Sequence, residues 1–212
     1  MVIAIDGPAG AGKSTVARGV ADALGFTYLD SGAMYRCVAL AALRRGADLD
    51  DPAATGEIAR SIGIGLDGER VELDGADVTS EIRTPEVDLA ASRVSVHPEV
   101  RDEMVKLQRD LIEHGSYVAE GRDIGTVVSP AAPLKVFLTA TDEERARRRA
   151  VESRALFDDV VEAQRERDAR DTAREHSALR PAEDAIELDT TGHSVAEVIQ
   201  LVVAMARERG IA

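Results

Sequence analysis

Residues 2–6 read VIAID, four apolar positions closed by one aspartate. A short unbroken apolar run predicts a strand covered on both faces rather than one facing water. The run from Lys13 to about Leu24 spaces its apolar residues for a helix, and FTYLD (26–30) predicts a second strand. SGAMYRCVALAALRRG then reads as a helix with Ser31 as its N-cap. Another short helix is expected over 51–62. Between 62 and 82 the texture changes to alternation, punctuated by DG at 67–68 and 74–75, which predicts a hairpin or three-stranded ribbon. Helices follow at about 85–96 and 98–114, separated where HP at 97–98 disfavours helical backbone. SYVAEG (116–121), LKVFLTA (134–140) and AIELDTT (185–191) predict three more strands, while 142–154, 157–176 and 194–209 read as helices. Apolar strands alternating with helices predict an α/β fold: a parallel β-sheet of about five strands covered by helices on both faces, with a small β-ribbon insert.

Composition narrows the class. The 212 residues are 44% hydrophobic, enough for one cored domain. No stretch approaches the roughly 18 apolar residues of a membrane span, so no membrane partner is expected. MVIAID reaches an aspartate at once and lacks a basic leader, so a cytoplasmic location is expected. Cys37 is the single cysteine, which fits a reducing compartment and reads as a packing residue. A net charge of −13 argues against nucleic acid as partner. Basic residues are nonetheless lopsided: Lys13, Lys106 and Lys135 are the only lysines among 26, and the other 23 are arginines. Arginine grips phosphate through a planar fork.

GPAGAGKST (7–15) carries the first chemistry. Gly7, Gly12, Lys13 and Ser14 fit G-x-x-x-x-G-K-[ST] between a strand and a helix, the context that confirms a phosphate loop. Its backbone N–H groups, from Gly7, Pro8, Ala9, Gly10, Ala11 and Gly12 through Thr15, fold around phosphate at a helix N-terminus, proline excepted as a donor. Lys13 would reach the β- and γ-phosphates of a nucleoside triphosphate, and the Ser14 hydroxyl would bind Mg²⁺. A GTPase would need an N-K-x-D segment, which is absent. A motor would need an apolar strand ending in a DE-type pair, of which Glu120 and Asp123 are a loose echo. The loop leaves a kinase or a partner-dependent nucleotide-binding regulator, and a second anion site separates them.

Three segments supply one. DSGAMYR, at the C-terminal end of the second strand, offers Ser31 and Arg36; EGRDIGT offers Arg122 and Asp123 from a glycine-flanked loop. RERDARDTAR places Arg167, Arg170, Asp171 and Arg174 at i, i+3, i+4 and i+7, with Arg145, Arg148 and Arg149 on a similar face upstream. Alone, that run reads first as a solvated helix laced with ion pairs. Beside a phosphate loop it reads as arginines for the charge of a phosphoryl-transfer transition state. His97, His114, His176 and His193 show no catalytic or ligand spacing and are expected at the surface or in caps.

GPAGAGKST, LDSGAMYR, EIRT, GRDIGTVV, EERARRR and ERDARDTAR, in this order and over nearly the whole length, resemble the motifs of bacterial cytidylate kinases, within the nucleoside monophosphate kinases. The resemblance implies that the ribbon is the insert of that family and that a helical lid covers the site. It implies transfer of the ATP γ-phosphoryl group to CMP or dCMP with Mg²⁺; a monomer is expected, since no coiled-coil repeat asks for a dimer. Ser31, Arg101, Asp123 and Arg174 would face the cytosine or its surroundings, Arg36 and Arg122 would hold the monophosphate, and Ser92, Arg167 and Asp171 would contact the sugar. Catalysis would fall to Lys13, Arg122, Asp123, Arg148 and Arg167, with Arg148 and Arg149 in the lid. One domain spanning 1–212 would comprise a core (1–30, 101–144 and 175–212), a monophosphate lobe (31–100) and lid helices (145–174). The stretch between RRR and ERD is several residues shorter than in many relatives, so the roles of individual lid arginines stay open. The acceptor phosphate, with a second pKa of about 6, is already largely dianionic at pH 7 and needs no general base. A carboxylate accepts from the cytosine N4 amine but faces the O4 acceptor of uracil, which makes Asp123 the candidate base reader.

Overall fold

The computed structural model describes residues 1–153, 156–172 and 179–211, and they form two compact units: Met1–Tyr28 with His114–Ala212, and Leu29–Glu113. A five-stranded sheet runs in the order β2 (Thr27–Asp30), β6 (Tyr117–Gly121), β1 (Val2–Asp6), β7 (Leu134–Thr139), β8 (Ile186–Asp189). β1 lies at its centre, parallel to β6 with Val2 opposite Tyr117 and to β7 with Ile3 opposite Leu134; β7 and β8 are also parallel. All five residues of β1 are buried, as its unbroken apolar run requires.

Successive side chains of a strand point to opposite faces, so Ile3 and Ile5 share one. They join a core with Val118 of β6, Leu134, Val136 and Leu138 of β7, Val16 and Val20 of α1 (Lys13–Leu24), and Val198 and Val202 of α8 (Val195–Glu208). Burying such a side chain fully is worth about 1.5–3 kcal/mol, so this layer dominates the stability of the unit that carries the phosphate loop. α8 opens with a capping box in which the Ser194 hydroxyl and the Glu197 side chain satisfy each other's backbone N–H groups. α1 opens after Gly12 with no side-chain cap. Two charged helices complete this unit, α6 (Asp142–Ser153) and α7 (Phe157–Thr172).

The second unit holds α2 (Ser31–Arg44), α3 (Pro52–Ser61), α4 (Pro85–Val94) and α5 (Pro98–Ile112). The three-stranded antiparallel ribbon β3 (Ile64–Asp67), β4 (Arg70–Leu73) and β5 (Ala76–Asp77) lies between α3 and α4 in sequence. Three details differ from expectation. The cap of α2 is Asp30 rather than Ser31, because the aspartate carboxylate reaches Ala33 N at 2.9 Å. Residues 101–113, expected with the core, belong to the second unit, since Pro98–Ile112 is one unbroken helix that goes with its neighbours. The GRDIGT loop winds into a π-helical turn, Ile124–Val128, which no period in the sequence announces. The helix expected over 157–176 is described to Thr172, and 173–176 lie outside the described residues.

Cys37 is fully buried and its thiol is pushed up to about 12, first by desolvation and then by the Asp30 charge, as befits a packing residue. Among the described residues no helix is long and apolar enough to cross a membrane.

Candidate active site

The phosphate loop leaves β1 through Gly7, whose φ of 147° is strained for any residue with a Cβ; a Cβ there would stand 2.1 Å from Leu138 O. Glycine is obligatory at this exit. Lys13 is buried and its Nζ donates to Pro8 O at 2.8 Å, so the ammonium curls back along the loop it serves. Ser14 and Thr15 are exposed at the start of α1. The Ser14 hydroxyl is a hard oxygen donor that fits Mg²⁺. Among the described residues no cluster of three or more His, Cys, Asp or Glu could hold a metal.

Arginines brace the loop from three directions. Arg122 Nη1 donates to Gly7 O at 2.9 Å while its Nε donates to Asp171 Oδ2 at 2.8 Å. Burial alone would lower the pKa of this guanidinium, but the charge and hydrogen bond of Asp171 outweigh it and the pKa is raised. Arg145, 6% exposed, donates through Nη1 to Ala9 O at 2.9 Å, with Asp168 Oδ2 2.7 Å away, and through Nη2 to Asp142 Oδ1 at 2.7 Å. Arg148 donates to the Thr190 hydroxyl and carbonyl, both at 2.9 Å, and to Glu144 Oε1 at 3.0 Å. The Thr190 hydroxyl in turn donates to Thr139 O at 2.9 Å. Asp123 is buried at the head of the π-helical turn. Behind it, Asp6 accepts from Ile124 N and Gly125 N, and its carboxyl is pushed up to about 6, chiefly by burial.

The second unit gathers its own polar set. Arg36 Nη2 lies 3.3 Å from Asp88 Oδ1, and Arg83 Nη2 lies 3.6 Å from Asp30 Oδ2. Ser31, Ser92 and Arg101 are buried. Arg101 sits over the Tyr35 ring, 5.7 Å from its centroid, with Nη1 3.4 Å from Ser95 O.

The structure thus brings residues 7–15, Arg122, Asp123, Arg148 and Asp171 into one unit and Ser31, Arg36, Ser92 and Arg101 into the other. Arg167 falls within α7, with its side chain outside the described part; Arg174 and His176 lie outside the described residues. His114 and His193 are exposed, and His97 faces Leu49 O at 2.9 Å. Pattern reading passed over Asp6, Asp30 and Thr190, and it placed Arg145 on an arginine face without its bond to Ala9 O. For Asp6 a signal existed, a charged residue ending a strand otherwise wholly apolar. Nothing local singles out Thr190, or Ala9 as the partner of Arg145.

A family model described as cytidylate kinase matches residues 3–208. The cytidylate kinase of Solibacter usitatus is 48% identical over 99% of this chain and 93% of its own. The cytidylate kinase of Mycobacterium leprae is 50% identical over 99% of this chain and 96% of its own. Among solved structures, a gluconokinase from Sinorhizobium meliloti superposes with a TM-score of 0.53 over 99% of this chain and 93% of its own at 14% identity, a likeness of fold.

Proposed function

The chain belongs to the cytidylate kinase family, and from that premise we infer that it transfers the γ-phosphoryl group of ATP to CMP or dCMP. The products are ADP and CDP or dCDP. One observation carries the reading beyond the family match: Arg122, the candidate holder of the acceptor phosphate, is hydrogen-bonded to the first carbonyl of the phosphate loop, Gly7 O. This bond supports a donor cradle joined to an acceptor anchor, as in-line transfer between two phosphates requires.

Each residue has a share. The loop backbone over 7–15 and the Lys13 ammonium bind the triphosphate, and Ser14 would hold Mg²⁺, which supplies charge neutralisation across the β- and γ-phosphates. Arg122 and Arg36 bind the acceptor phosphate. Arg148, tied to Thr190 beside the loop, and Arg167 on α7 meet the charge of the transferring group. Ser31, Arg101, Asp123 and Arg174 surround the cytosine, with Ser92 and Asp171 at the sugar. The acceptor is already a dianion near neutrality, so the histidines have no proton to take. α6 and α7 act as the lid over a core, with the second unit as the monophosphate lobe. We place the enzyme in the cytoplasm, as a monomer in pyrimidine nucleotide metabolism, with small-molecule substrates and no nucleic acid or membrane partner.

Initial rates of ADP formation with Mg·ATP and CMP, dCMP, UMP, AMP or dTMP test this. Fast turnover with CMP and dCMP and at least about tenfold less with UMP is expected, one mispaired polar contact being worth about 1–3 kcal/mol. A slow rate indifferent to every monophosphate would overturn the assignment in favour of a partner-dependent nucleotide-binding protein.

A further inference from the structure

β1 ends in a carboxylate that phosphoryl transfer does not use. Asp6 is the one polar residue of VIAID and is 6% exposed. Its two oxygens divide their work: Oδ1 accepts from Ile124 N at 2.9 Å and Oδ2 from Gly125 N at 2.7 Å. Those two N–H groups open the π-helical turn Ile124–Val128, and Asp123 heads it with φ −149° and ψ 26°, a conformation of neither helix nor strand. Behind Asp123 the chain is fastened again, because Arg122 donates to Gly7 O. Adjacent residues of the β1 exit, Asp6 and Gly7, thus grip the backbone on one side of Asp123 and the side chain on the other.

The grip leaves little slack. A Cβ on Gly125 would stand 3.3 Å from Asp6 Oδ2 and 3.2 Å from Lys135 Cδ, so a side chain at 125 would need the carboxylate or the lysine stem to give by a few tenths of an ångström. Within the turn, Val127 N and Val128 N both bond back to Asp123 O, at 2.8 and 3.2 Å. Any displacement of residues 124 and 125 is therefore passed to Asp123. Two convergent N–H groups stabilise the ionised carboxylate against its burial.

We propose that Asp6 is a positioning residue for base selection: by holding the 124–125 backbone on its two oxygens, it sets Asp123 where a carboxylate meets the amine of a cytosine-type base. The proposal rests on the reading of Asp123 as base reader under a CMP kinase activity. Asp6 itself touches no substrate. In Asp6→Asn one acceptor oxygen becomes an NH₂ that faces an N–H, so one bond is lost and the turn shifts while side-chain volume is kept. In Gly125→Ala the carboxylate stays and the added methyl presses on it.

Steady-state kinetics with CMP and UMP as acceptors, per mole of folded enzyme, test the role in Asp6→Asn, Gly125→Ala, Asp123→Asn and the Asp6→Asn/Asp123→Asn double variant. Asp6→Asn and Gly125→Ala should each narrow the CMP:UMP ratio of kcat/KM by about fivefold or more, with KM for CMP rising more than KM for ATP. The double variant should discriminate no worse than Asp123→Asn alone, because both act through the same carboxylate. A purely structural role would lower the melting temperature and leave the ratio where it was. A folded Asp6→Asn with the wild-type ratio, or losses at the two sites that multiply, would overturn the proposal. Should Asp6→Asn not fold, Gly125→Ala decides by the same criterion. A wild-type enzyme without preference for CMP would instead overturn the parent reading.

Discussion

Replacing Arg145 by methionine probes how the phosphate loop is held. The side chain is 6% exposed and joins three groups: Ala9 O at 2.9 Å, Asp168 Oδ2 at 2.7 Å and Asp142 Oδ1 at 2.7 Å. Methionine keeps much of the apolar stem, so packing changes little and the polar losses dominate. Ala9 is half-buried, so losing this bond to its carbonyl costs about 1 kcal/mol. Breaking a fully buried ion pair costs about 3–5 kcal/mol, but Asp168 is 23% exposed and regains water, which leaves about 1–2. Asp142 is 75% exposed and contributes about 0–1. A destabilisation of about 3 kcal/mol follows, equivalent to roughly 6–12 °C in melting temperature for a chain of this size. Equilibrium denaturation and thermal melting measure it directly. Arg145→Lys should fall between the two, because one ammonium cannot serve the loop and both carboxylates along the fork directions of a guanidinium. KM for ATP should rise in both variants, since Ala9 lies in the cradle. A methionine variant within about 0.5 kcal/mol of wild type would refute the idea that this cluster holds the loop.

Two further outcomes are expected. Asp123→Asn should bring the CMP:UMP preference down by about tenfold, because an amide turns as readily to the uracil O4 as to the cytosine N4 amine; an unchanged ratio would remove Asp123 as base reader. The Asp6 carboxyl is pushed up to about 6 from 3.8, first by burial and then by Asp123, with the Ile124 and Gly125 N–H groups and Lys13 opposing. A carboxyl with a raised folded-state pKa binds its proton more tightly when folded, so its ionisation lowers stability as pH rises from about 4 through about 6. That penalty amounts to about 3 kcal/mol by pH 7. Stability of Asp6→Asn relative to wild type should therefore improve by about that much between pH 4 and pH 7 in urea titrations, and a flat difference would show the raised pKa to be wrong.

Periodicity carried most of the architecture. VIAID, FTYLD and LKVFLTA are too short and too apolar for surface helices, and DG at 67–68 and 74–75 marks the ribbon turns directly. The phosphate loop was legible because its chemistry is backbone geometry, and backbone geometry writes itself as glycine. The braces were not. Arg145 and Thr190 act on Ala9 and, through Arg148, beside Gly12 from more than a hundred residues away. Their neighbours in sequence resemble any charged helix or strand end. The π-helical turn was hidden for a related reason: it exists because Asp6, on another strand, offers acceptors for two N–H groups at once. The cap of α2 fell to Asp30 instead of Ser31 because both residue types can cap, and only the backbone angle at the strand end chose between them.

The central place of β1 sets an order of events during synthesis. The phosphate loop leaves the ribosome well before the strands that shape it, because β1 pairs with β6 and β7, more than a hundred residues downstream. Gly7 takes its shape against Leu138, and its carbonyl is held by Arg122. Until β7 has been made, GPAGAGKST is a flexible peptide with the right letters and no cradle. The nascent chain should therefore gain no protection from nucleotide before about residue 140 is free to fold, and the phosphate loop becomes a site only after segments translated well behind it.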